Sequence, residues 1–178
     1  ILLASFAELA ARNGLALIVD ETYRDFHTQD GPPHALFANP DWDETFIHLY
    51  SFSKAYRLTG HRVGAIAASA ARLAEVEKFL DTMTICVSGP GQMAALWGLE
   101  NLADWLADER LEILRRREAM TVGLRNLPGW NLMGCGAYFA YVRHPFDMPA
   151  PQAAKHGAGQ HQDAGLGQQM MLPGTMFR

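Results

Sequence analysis

Cysteine is scarce. Cys86 and Cys135 are the only two in 178 residues, and their spacing matches no disulfide framework. Both are read as small, buried or half-buried side chains. Positive charge is also scarce: the net charge is -4 and no basic stripe is present, so nucleic acid is not an expected partner. Arg115-Arg-Arg117 is the one tight basic cluster, and with Glu112 and Glu118 beside it the expectation is a solvated helix face. No apolar run approaches the length of a membrane span, and no signal peptide opens the chain, so a membrane is not expected and cytoplasm is the expected location. No internal repeat or heptad run is present. His27, His34, His48, His61 and His144 are scattered, and His156 and His161 lack a supporting carboxylate or thiol, so no metal site is expected.

What remains is a chain that is 49% hydrophobic, enough for an ordinary domain with a sizeable core. Its chemistry gathers in two short strings. In Ser51-Phe-Ser-Lys54, followed by Arg62, a lysine is flanked by two hydroxyls and trailed by a guanidinium. A lysine amine forms Schiff bases with carbonyls. Hydroxyls and an arginine fork suit a phosphate, which takes several donors at once. Aldehyde capture beside a phosphate site is what pyridoxal 5'-phosphate requires. The string alone is weak, since a solvated lysine in a Ser-rich turn has the same composition. The second string is Leu15-Ala-Leu-Ile-Val19, an apolar run that ends in Asp20-Glu-Thr-Tyr23. Preceded by a helix-like stretch from Ser5 to Arg12 and an Asn13-Gly14 stop, it predicts a helix, a left-handed cap and a buried parallel strand. Ligands of open α/β sheets gather beyond the carboxyl ends of such strands. A carboxylate at that end can keep a proton on a pyridine nitrogen, and the Tyr23 phenol is within sequence reach of the ring oxygen.

Phe46 to Tyr50 and Arg62 to Ala68 read as two further strands. Only Ser51 to His61 joins them, short for a parallel crossover, so an antiparallel return is expected. That return places Lys54 and Arg62 at one sheet edge, which Asp20 shares if the first two strands are parallel.

Asp20-Glu-Thr-Tyr23, Ser51-Phe-Ser-Lys54 and the run from Lys54 through Gly60-His-Arg62-Val-Gly64 resemble class I/II aminotransferases, the aspartate aminotransferase-like enzymes of fold type I. The likeness continues through Gly91 to Gly98 and Gly136 to Phe139, and covers the chain to about Pro145. It implies an α/β fold: the C-terminal part of the large sheet domain over residues 1–103, then an interdomain helix and an incomplete small α+β domain over 104–178. It implies that Lys54 carries pyridoxal phosphate and is the catalytic base. It also implies that Asp20 partners the ring nitrogen, that Tyr23 contacts the ring hydroxyl, and that Ser51, Arg62 and Ser53 bind the phosphate. The implied reaction moves an amino group from an α-amino acid to a 2-oxo acid, in a homodimer. A lyase or decarboxylase on the same fold, and the sensor domain of a transcription regulator, remain alternatives. The sequence does not choose the amino acid. Because the family's earlier strands and Gly-rich phosphate turn have no counterpart here, the chain is read as a fragment, inactive alone.

Further along, Arg72 to Met83, Gln92 to Leu102 and Asp104 to Leu127 predict helices, with Ser88 to Gly91 as a break and Pro128-Gly129 as a stop. Trp97 and Trp105 are expected in the core or at an interface. Tyr138 to Val142 predicts a strand. Pro149 to Gln169, rich in glycine and poor in large apolar residues, predicts a loop.

Overall fold

The computed structural model describes residues 2–154. Its elements run α1 (Leu2–Arg12), β1 (Leu17–Asp20), β2 (Phe46–Ser51), β3 (Gly64–Ala67), α2 (Ala70–Met83), α3 (Gly89–Asn101), α4 (Ala103–Arg125), β4 (Asn131–Gly136) and β5 (Phe139–Arg143). The chain forms two compact units, residues 1–116 and 117–178, divided within α4.

In the first unit, α1 ends as the sequence predicts. Gly14 takes φ 63°, a left-handed conformation that costs glycine little. The amide of Leu15 then reaches back to the carbonyl of Ala10 at 2.9 Å, closing the helix and turning the chain into β1. β1 pairs in parallel with β2, and β2 pairs antiparallel with β3, giving sheet order β1-β2-β3. The short connection from Ser51 does make the antiparallel return.

Strand alternation sorts this sheet into two faces. Phe46, His48 and Tyr50 stand on one, in register with Leu17 and Val19. Phe46 is 2% exposed, the most deeply buried large side chain, and meets Phe37 edge-on at 5.1 Å. Phe52, Val63 and Ala95 form a second buried cluster, with Tyr50, Tyr56 and Leu58 packed on it. Ile18, Asp20, Leu49, Ser51 and Ile66 belong to the other face.

The helices depart from the sequence reading at their ends. The expected break between helices is present but lies earlier, over residues 84–88; Gly89 to Gly91 already belong to α3, with the Ser88 hydroxyl accepting from the Gly91 amide at 3.4 Å and a proline in the first turn. Gly91 also faces the His61 carbonyl so closely that a Cβ would lie 3.0 Å from it. Of the two places expected for the tryptophans, the core of this chain holds neither: Trp97 is 58% exposed, and Trp105 is half-buried under the Arg57 guanidinium, 5.3 Å from the ring centre. Cys86 is exposed rather than buried, and Cys135 is half-buried. Glu112 pairs with Arg115 at 2.7 Å and Arg116 at 2.6 Å, so two of the three clustered arginines lie along a charged helix surface.

In the second unit, β4 and β5 form an antiparallel hairpin whose turn holds Ala137 at φ 46°. β5 fulfils the expected strand, while β4 was not foreseen, because Gly134 and Gly136 interrupt its apolar alternation. The loop expected from Pro149 fails at its start. Residues 150–154 are helical, and the Gln152 and Ala153 amides donate to the Pro149 carbonyl at 2.9 and 3.2 Å. The rest of that tract, His156 and His161 included, and the stretch from Leu172 to Arg178 lie outside the described residues.

Candidate active site

Asp20 closes β1 and Ser51 closes β2. Because the strands are parallel and Asp20 is in register with Leu49, both side chains belong to the same edge and the same face. Ser51 is in turn in register with Gly64, the first residue of β3. At Gly64 a Cβ would lie 2.8 Å from the Tyr50 carbonyl, so glycine permits the antiparallel pairing to run up to the edge. Everything between Ser51 and Gly64, Lys54 and Arg62 included, is the loop that crosses this edge.

Asp20 is exposed, and its carboxyl is held below its ordinary value, first by the Thr22 hydroxyl and then by the Thr22 amide. Those bonds, at 2.6 and 3.0 Å, both fall on Oδ1. The carboxylate is therefore anionic at neutral pH, with Oδ2 left for another donor. Tyr23 follows at the entrance of a short 3-10 turn, Arg24–Phe26.

The Lys54 loop is organised by its own backbone. The Ser51 hydroxyl accepts from the Ser53 amide at 3.3 Å. The Thr59 hydroxyl donates to the Ser53 carbonyl at 2.8 Å, and the Leu58 amide to the Phe52 carbonyl at 3.2 Å. Ser53 is buried at 7% exposure, whereas Lys54 is half-buried and joins none of the ion pairs among the described residues. Arg57 takes φ 56° and donates its amide to the Lys54 carbonyl at 3.2 Å. Its guanidinium bonds Glu109. Arg62 is also left-handed, at φ 52°, and its Nη1 donates to the Thr59 carbonyl at 3.0 Å. Two non-glycine residues in this conformation thus follow Lys54 within the loop. Such backbone persists where the surroundings over-determine it.

Sequence reasoning passed over the groups behind Asp20. Glu21 is 9% exposed, with His34 Nε2 3.0 Å from Oε1, His48 Nε2 3.0 Å from Oε2, and Arg24 at 3.5 Å. Burial holds the His48 imidazole below its ordinary value, although Glu21 pulls the other way. On the far side of Tyr23, Asp25 accepts from the Tyr50 hydroxyl at 2.6 Å. Burial and then that bond push the Tyr50 phenol upward, so it remains a donor. The available signal was alternation in Phe46-Ile-His-Leu-Tyr50, which puts a histidine and a tyrosine on one face.

A parallel-to-antiparallel sheet whose edge carries an acid, a hydroxyl, a lysine and an arginine has the architecture of the fold type I transferases, mixed α/β proteins that bind pyridoxal phosphate. Structural similarity agrees. A methionine aminotransferase from Escherichia coli, YbdL, superposes with a TM-score of 0.75 at 25% identity, over 89% of this chain and 42% of its own. An aromatic aminotransferase from Pyrococcus horikoshii gives 0.70 at 26%, over 79% and 38%.

Residues 2–156 match the family of class I and II aminotransferases, and the chain belongs to it. Members of this family are pyridoxal-phosphate-dependent transaminases. The aromatic aminotransferase ISS1 of Arabidopsis thaliana is 30% identical over 149 residues, covering 81% of this chain and 36% of that protein. A histidinol-phosphate aminotransferase of Synechococcus is 34% identical over 131 residues, covering 72% and 34%. The chain thus spans about a third of the length of these relatives. Among the described residues, no helix is long and apolar enough to cross a membrane.

Proposed function

We propose that this chain is the lysine-bearing portion of an aminotransferase that moves an amino group from an α-amino acid to a 2-oxo acid. One observation supports it most: β1 and β2 bring Asp20 and Ser51 to one edge and face, and the loop holding Lys54 and Arg62 crosses that edge. The donor set fits pyridoxal 5'-phosphate. An anionic carboxylate with a free oxygen suits a pyridinium N–H. Hydroxyl and guanidinium groups suit the phosphate, and an amine with no carboxylate partner among the described residues suits the aldehyde.

When bound, that cofactor supplies the electron sink that makes the substrate α-proton acidic. In this reading Lys54 anchors it covalently, Ser51 and Arg62 hold its phosphate, and Ser53 assists. Asp20 keeps the ring nitrogen protonated, and Tyr23 donates its phenol to the ring oxygen. The Lys54 amine would serve as the base that moves a proton between the substrate α-carbon and the cofactor's aldehyde carbon. Residues 1–103 belong to the rear of the cofactor domain and 104–178 to the linking helix and small domain. The complete enzyme works as a homodimer.

The test is borohydride reduction of the full-length polypeptide loaded with pyridoxal phosphate, followed by peptide mapping and an amino-transfer assay over a panel of amino acids. Label on Lys54 with transfer to a 2-oxo acid is expected. Label on Lys78 or Lys155 defeats the assignment. Elimination or decarboxylation products without transfer defeat the reaction class.

A further inference from the structure

The turn that carries Tyr23 is fastened on both sides by side chains that the proposed chemistry does not use. Glu21 precedes Tyr23 by two residues and Asp25 follows by two. Glu21 lies against His48, and Asp25 accepts from Tyr50 at 2.6 Å. His48 and Tyr50 are two apart on β2, so alternation puts both on one face and spaces them along it. Their rings stack at 6.2 Å with an interplanar angle of 19°, and Tyr50 is buttressed edge-on by Phe52 at 5.1 Å. The backbone completes the arrangement. The Glu21 amide donates to the Leu49 carbonyl at 2.9 Å, the Arg24 amide to the Glu21 carbonyl at 3.0 Å, and the Phe26 amide to the Tyr23 carbonyl at 3.1 Å. Arg24 reinforces the Glu21 side, with Nη1 3.5 Å from Glu21 and donating to His48 Nε2 at 3.3 Å.

We propose that Glu21, tied to β2 by the bond from its amide to the Leu49 carbonyl, and Asp25, held by the Tyr50 hydroxyl, form a two-point clamp that positions the Tyr23 hydroxyl, making Tyr50 and Asp25 positioning residues for the cofactor ring. A single anchor leaves a five-residue turn free to pivot, and two anchors on one rigid strand fix its rotation. Preorganisation of this kind requires that the supporting rotamers be locked, and the near-complete burial of Glu21 and His48 provides that. The proposal rests on the reading of Tyr23 as a ring contact.

The experiment uses the full-length holoenzyme. Its readouts are the pH midpoint of the absorbance of the lysine-linked cofactor and the apparent Kd for pyridoxal phosphate. Tyr23→Phe, Tyr50→Phe, Asp25→Asn and the double variant Tyr23→Phe/Tyr50→Phe are compared, with Tyr141→Phe, 76% exposed in the second unit, as control. Tyr50→Phe deletes one hydroxyl and keeps the ring stack. It is expected to move the midpoint in the same direction as Tyr23→Phe and to weaken binding about fivefold, one hydrogen bond's worth. The double variant is expected to add nothing to Tyr23→Phe, because the clamp has no other task. Asp25→Asn reproduces Tyr50→Phe if the bond itself matters.

A midpoint that moves in Tyr23→Phe but stays at the wild-type value in Tyr50→Phe and Asp25→Asn overturns the clamp alone. Additive shifts overturn it as well, since they assign Tyr50 an independent effect. A midpoint unmoved by Tyr23→Phe defeats the reading of Tyr23, and the clamp with it.

Discussion

The two faces of the β1-β2-β3 sheet differ sharply in what covers them. One holds Phe46 at 2% and His48 at 8% exposure, with Tyr50 half-buried among aromatic rings. The other leaves Ile18 61% and Ile66 40% exposed, and it is the face of Asp20 and Ser51. On the proposed roles of Asp20 and Ser51, strand parity separates stability from chemistry. Shifting a strand by one residue would exchange them, because the side-chain period is two. The buried face keeps the register, and the register decides which residues reach the edge where Asp20 and Ser51 stand.

Substituting the chemical face is expected to have the largest functional effect. In the full-length enzyme, Asp20→Asn should lower amino transfer on the order of a hundredfold, the scale of losing one preorganised electrostatic partner. Because asparagine keeps an oxygen to accept from the Thr22 amide and hydroxyl, the melting temperature should stay near wild type. A variant that keeps wild-type turnover refutes the role given to Asp20.

The buried face should show the opposite balance. Phe46→Ala removes the most buried large ring and leaves its neighbours Phe37, Trp42 and His34 around a cavity. A cost of about 3–5 kcal/mol is expected from urea unfolding. A loss below about 1 kcal/mol would show that the cluster repacks and that this face does not set the register.

An acid-sensitive component should also come from the buried face. Burial lowers the His48 pKa from its ordinary 6.5, and burial followed by Arg110 lowers that of His27. The folded state thus binds fewer protons than the unfolded chain. The resulting stability is present above the ordinary histidine value and is lost as pH falls through the folded values. Urea midpoints should therefore fall between about pH 7.5 and about pH 5.5, and His48→Gln should flatten that slope. A slope unchanged in His48→Gln would assign the acid sensitivity elsewhere.

Much of this arrangement was legible in the sequence. The short connection after Ser51 indicated the antiparallel return from length alone, and the run from Leu15 to Val19 marked the strand that ends in Asp20, while its parallel pairing with β2 entered only as a condition. The clamp around Tyr23 was not legible. Glu21 and Asp25 look like ordinary turn carboxylates, and His34 and His48 are far apart in the chain. Only the fold brings them together. Cys86 was misplaced for a related reason: residue type predicts average burial, while exposure depends on which elements cover that position. Ser88 to Gly91 misled because proline and glycine mark turns in general, yet proline is also favoured in a helix's first turn.

The smallest expected effect tests the exposed face directly. Ile18 sits beside Asp20 in β1, and at 61% exposure it makes little contact that a shorter side chain would forfeit. Ile18→Thr keeps the β-branch and hence the strand preference. In this 178-residue chain it should change unfolding free energy by no more than about 0.5 kcal/mol, as for surface substitutions generally. The informative comparison is the same substitution in the full-length polypeptide. If further chain packs over the Asp20 face, Ile18 becomes a core residue there, and losing its apolar atoms while burying a hydroxyl should cost about 1–3 kcal/mol. Equal, small costs in both would show that the Asp20 face stays open to solvent in the complete enzyme. A large cost in the 178-residue chain would show that the contrast between the two faces drawn from this structure is wrong.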